Sequence, residues 1–281
     1  MPHTVTRPPK LPVMIDLTTV STPKQAAITI SPGKIDPTLV EQGREARVRS
    51  LPIVGNNSEC LGAISIDKLA ELAESNTPLA ADHATIPCNI LPHEVPVSTL
   101  LRQLRDQGVI LHAADPDAGD YQEDWFGIVS TADLNRPIFR AHIYRMLVIL
   151  ETSLGQLIMD EFGDDWGAIR LLSDSTQARI KDFYDEERAE GVDLSPITNA
   201  TLSDLFHIAT ESNNVWRLMD FDDPNDLRPV AHRVNGLRNT IMHPVRPLIV
   251  NENELKEVFE AVDDVEMLTD RLMKRIGVAT G

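Results

Sequence analysis

The 281 residues, 42% apolar and 25% charged, are enough for two cores of ordinary size. A formal charge of -17 opposes general attraction to nucleic acid, and acids outnumber bases over residues 138–281 as well, so any nucleic-acid role has to rest on a local patch. The two cysteines, Cys60 and Cys88, form no C-x-x-C pair and have no histidine at ligand spacing, which argues against a metal site or a disulfide framework; no signal peptide or uninterrupted apolar span is evident, so a cytoplasmic protein without membrane association is expected.

Residues 1–10 are polar and proline-rich and are expected to be a disordered lead-in. Residues 11–136 have α+β texture, with short apolar runs bounded by Gly, Pro, Asn and Asp. Two segments repeat one plan of strand, polar turn and strand: LPIVGNNSECLGAISIDKL (51–69) and GVILHAADPDAGDYQEDWFGIVSTADL (108–134). Each is preceded by a helical stretch, plainest at 97–107, where Ser98 could cap.

From Pro137 the period lengthens to that of helices. Phe139, Ile143, Met146, Leu147, Leu150, Leu154, Leu157 and Ile158 predict a first long helix, and further helices are expected over 166–188, from Thr201 with Asp204 as capping partner, over 228–243, and over 254–276. The last has a narrow apolar stripe, Leu255, Val258, Phe259, Val262, Val265, Leu268 and Leu272, which suits core packing or a helix–helix dimer seam.

The segment VNGLRNTIMHPVRPL (234–248) carries the densest chemistry. In a helix Asn239 and His243 share a stripe and Arg238 lies beside them, while Pro244 should stop the helix and leave the His243 imidazole at its negative end, where imidazolium is favoured. Residues 227–251 contain Arg228, Arg233, Arg238, Arg246 and two histidines but no acid, which predicts a local anion site. Guanidinium can grip a phosphodiester and histidine can move a proton.

Arg238-Asn239-x-x-x-His243-Pro244 resembles the signature of the HEPN superfamily. That resemblance implies an all-α five-helix HEPN-like bundle over 137–281, a homodimer with both motifs at one cleft, and metal-independent RNA cleavage needing no cofactor, as in toxin or defence systems. It also implies a polar residue on an earlier helix facing the motif, for which Glu151, alone among apolar neighbours, is the candidate by position. The plainer alternative makes His243 a carbonyl cap and Arg238 a surface ion pair.

GIVSTADL (127–134) resembles the closing signature of a CBS motif, and GAISIDKL (62–69) is similar but has Lys68 where the second copy has Asp133. The resemblance implies a CBS-like tandem over 11–136 that binds an adenine nucleotide through Ser130 and Asp133. Ser-x-x-Asp is also a helix-capping pattern, so a purely structural role stays open. Together these features predict a nucleotide-regulated endoribonuclease acting on RNA, or alternatively a non-catalytic nucleotide-sensing dimeric adaptor. Trp125, Trp166 and Trp216 are too scattered for a base-stacking platform, and the acidic run 115–124 lacks calcium-loop spacing and reads as a solvated loop.

Overall fold

A computed structural model describes residues 13–23, 26–46, 48–56, 59–112, 127–192 and 194–277. The lead-in 1–10, the acidic run 115–124 and Trp125 lie outside the described residues. The chain divides into two compact units: Met14–His142 with Pro244–Phe259, and Ile143–His243 with residues 260–277 and Val13.

The first unit contains, in order, β1 (Met14–Asp16), α1 (Leu17–Val20), β2 (Thr22–Pro23), α2 (Pro37–Glu45), β3 (Ser50–Val54), β4 (Cys60–Ser65), α3 (Ile66–Glu74), β5 (Ile90–Leu91), β6 (Glu94–Pro96), α4 (Val97–Gln107), β7 (Val109–His112) and β8 (Gly127–Ser130). Both segments picked out by sequence are antiparallel hairpins, β3–β4 and β7–β8, each preceded by a helix. The repetition extends upstream. Ile30 bridges Ile53 in parallel as Ile90 pairs with Leu111, at the same offset before the following helix.

Each hairpin also takes an outer partner from the chain ahead of the other copy: β2 lies antiparallel on β8, and Ile86 bridges Ala63 of β4. Alternation along β3 and β4 buries Leu51, Ile53 and Ile64 with Val40 and Leu69 of the flanking helices. Residue 98 departs from expectation. Pro96 stands at the N-cap of α4, and Ser98 is buried within the first turn with no capping bond. At the other end Gly108, at φ 74°, closes the helix, its N–H donating to the Leu104 carbonyl at 2.7 Å.

The helices from Pro137 onward are α5 (Pro137–Phe162), α6 (Asp165–Ile169), α7 (Asp174–Ala189), α8 (Leu202–Glu211), α9 (Val215–Leu218), α10 (Pro224–Met242) and α11 (Glu252–Arg275). The expected helix over 166–188 is two helices, because Ser173 accepts the Thr176 N–H and starts α7 afresh. Thr201 caps α8 as expected, with Asp204 completing the reciprocal box. The helix expected from 228 begins at Pro224. Asp223 accepts the Asn225 N–H at 2.7 Å, and Pro229 lies inside the helix and forgoes one backbone bond.

Along α11, Leu255, Val258, Val262, Val265, Leu268 and Leu272 are all buried within the single chain, so this stripe is core. Phe259 is the exception: its ring is partly exposed under the Arg105 guanidinium, 4.4 Å from the centroid. Trp216 is buried with its indole N–H on the Ser212 carbonyl, and Trp166 meets Tyr184 edge-on, roles consistent with packing. Among the described residues no helix is long and apolar enough to cross a membrane.

Candidate functional site

In the helical unit, Arg238 and Asn239 occupy the last turns of α10, and His243 is its C-cap at φ -111° and ψ 74°. The residue before a proline is pushed out of the α region, so the helix stops where Pro244 requires. His243 and Asn239 are exposed and Arg238 is half-buried. Arg238 lies close enough to Glu151 of α5 to stabilise its carboxylate. Burial nevertheless raises the Glu151 pKa above its ordinary value, with Arg238 and the Leu202 N–H at the start of α8 pulling the other way. The polar residue chosen by position alone is thus half-buried and within electrostatic range of the motif's arginine.

The surrounding basic run behaves otherwise than its composition suggests. Arg228 pairs with Glu211 at 2.8 Å. Arg233 forks onto both oxygens of Asp264, at 2.7 and 3.2 Å, and this bond raises its already high pKa. Two of the four arginines are thus answered by acids from other helices and a third bears on Glu151. The broad anion site expected from residues 227–251 therefore loses Arg228 and Arg233, whose charges are taken up by Glu211 and Asp264.

At the mouth of the second repeat, Ser130 directs both its N–H and its hydroxyl to Asp133 Oδ2, at 2.8 and 2.9 Å. Arg136 pairs with Asp133 Oδ1 at 2.9 Å and also donates to the Ser21 carbonyl and the Thr22 hydroxyl. Thr22 Oγ1 in turn stands 3.3 Å from Asp133 Oδ1. Asp133 thus closes its own turn and ties β8 to β2, a structural task, while lining a cavity of about 250 Å³ with Ser130, Thr22, Ile28, Val109 and Ile128. In the first copy Ser65 does the reverse, accepting the Lys68 N–H at the start of α3, and Lys68 pairs outward with Glu71.

A larger cavity, about 530 Å³, lies elsewhere in the same unit, among Arg49, Asn135, Arg140, Arg246 and Glu252. Sequence reading missed most of these residues, which are distant in the chain and belong to no motif. Their bonds are those of a joint: Arg49 pairs with Glu252, and Arg140 donates to the Arg246 carbonyl. Asn135 imitates a strand edge, accepting the Leu248 and Ile249 N–H groups at 2.7 and 2.9 Å and donating to the Ile249 carbonyl at 2.8 Å. Burial lowers the pKa of Arg140. This cavity is the roomier of the two, and its polar groups, like those of the smaller one, are engaged with one another.

No protein-family model matches the chain, and no curated protein matches it. Among solved structures its N-terminal part is similar to the CBS domain of a bacterial CNNM/CorC family Mg2+ transporter in complex with ATP, at 18% identity over 42% of this chain and 83% of that one, TM-score 0.33. CBSX2 in complex with AMP is similar at 16% identity over 44% of this chain and 95% of that one, TM-score 0.33. A hemolysin-like protein containing a CBS domain, from Oenococcus oeni PSU, is similar at 10% identity over 42% of this chain and 85% of that one, TM-score 0.33.

Proposed function

We propose that the chain is a nucleotide-responsive, metal-independent endoribonuclease, with a CBS-like pair as sensor and a HEPN-like helical unit as effector. The observation that carries the proposal is that half-buried Glu151 lies within electrostatic range of Arg238 while His243 stands exposed at the end of the same helix. Arg238 steadies the charge that builds on a phosphodiester, and Glu151 orients its guanidinium. His243 moves the proton as a ribose 2′-oxygen bonds to phosphorus and the 5′-oxygen leaves; Asn239, exposed beside it, orients the RNA. The effector works as a homodimer that brings two motifs to one RNA. On the sensor side, Ser130 and the cavity beside it take an adenine nucleotide, and Thr22 adds a hydroxyl.

Incubation of purified protein with labelled structured RNA in EDTA tests this. Cleavage should fall by about 10²–10⁴-fold in His243→Ala and in Arg238→Ala while circular dichroism is unchanged. Wild-type cleavage that neither substitution affects would overturn the assignment. A second reading, a non-catalytic nucleotide-sensing adaptor, is favoured by the neutralisation of Arg228 and Arg233. Absence of cleavage with and without adenine nucleotide would select it.

A further inference from the structure

The only two cysteines in the sequence lie far apart in the chain, yet both pack against one cluster, Ala63, Val109, Leu111 and Ile128. A single irregularity brings them together. From Ser50↔Ser65 to Ile53↔Gly62 the β3–β4 register is regular, but Val54 faces Cys60, so Leu61 is an extra residue in β4. Because successive side chains alternate, the bulge moves Cys60 onto the face of Ala63. Ala63 bridges Ile86, with backbone bonds of 2.7 and 3.1 Å, and Cys88, two residues beyond Ile86, shares that face. Both thiols thus stand on one face against the same cluster, and both are partly exposed.

We propose that Cys60 and Cys88 form a redox-sensitive dithiol that closes to an intramolecular disulfide when exposed to peroxide. Cys60 sulfur attacks one peroxide oxygen, the O–O bond breaks, and the departing hydroxide takes up a proton as water, leaving a sulfenic acid on Cys60. Cys88 sulfur then attacks Cys60 sulfur. The S–S bond forms, the S–O bond breaks, and the second oxygen leaves as water with the Cys88 proton, so two thiols lose two electrons and peroxide becomes two waters. The hydrogen bond from Cys88 holds the Cys60 thiol down to about 7, which makes it the attacking partner, while the same bond and burial push Cys88 up.

The full chain, treated with hydrogen peroxide, should lose both titratable thiols, lose the mass of two hydrogens and yield a Cys60–Cys88 cross-linked peptide, all reversed by dithiothreitol. In Cys88→Ser the reaction should stop at a dimedone-reactive sulfenic acid on Cys60. A disulfide between chains, over-oxidation of Cys60 with Cys88 untouched, or survival of both thiols would each overturn the proposal.

Discussion

At the scale of single residues, Ser65 and Ser130 hold equivalent places in the two repeats yet behave as opposites. Ser65 accepts from the backbone three residues on, whereas Ser130 donates to Asp133, because only the second copy has an acceptor there. Glu151 carries a prediction with a definite sign. Its pKa is raised in the fold, so the native state holds that proton more tightly than the unfolded chain, and the carboxyl's stabilising contribution is present at low pH and lost as pH rises through the folded value. Glu151→Gln should therefore gain stability relative to wild type as pH climbs from about 4 to about 7 in urea titrations. A constant difference would mean that Glu151 titrates as an ordinary surface acid. The motif Arg238-Asn239-x-x-x-His243 was legible in the sequence, but the pairing of Arg228 and Arg233 was not, since their acids come from distant helices.

At the scale of elements, capping decides where helices begin, and it explains both the agreements and the departures. The Thr201–Asp204 box was visible as a local pattern, and α8 starts there. Ser173 and Asp223 are equally local, but a continuous helical pattern over 166–188 and the proline at 229 concealed them. Thr201→Ala should cost about 1 kcal/mol, lowering Tm by about 2–4 °C in calorimetry. The fall should grow if Asp204 also loses its hold on Arg179, which it now accepts at 2.6 Å. No change would show that water replaces the hydroxyl at this helix end. Twin hairpins were readable from alternation, but the extra residue in β4 was not: a bulge leaves no mark in composition, and it is what sets the face on which Cys60 stands.

At the scale of the whole molecule, ligand binding and stability are linked, because a ligand that prefers the folded state raises Tm. Saturating adenine nucleotide, at about 100 times its dissociation constant, should add about 2.7 kcal/mol by thermal shift. Asp133→Ala should lower the unliganded Tm, since Ser130 and Arg136 lose their acceptor, and should also erase the nucleotide increment. An increment that survives in the variant would leave Asp133 as a purely structural tie, and a wild type that no nucleotide shifts would remove the sensor role. The sequence by itself determined the duplication, the turn from α+β to helical texture near Pro137, and the end of α10 before Pro244. Periodicity, capping patterns and short motifs are local, and local spacing is all that a chain order records. Only the tertiary structure decided that Pro244–Phe259 returns to the α+β unit, that the stripe of α11 is core, that Glu151 is half-buried within electrostatic range of Arg238, and that Cys60 and Cys88 pack against one cluster. Each of these depends on contacts between residues far apart in the chain, which are settled by packing and register and not by neighbours in sequence.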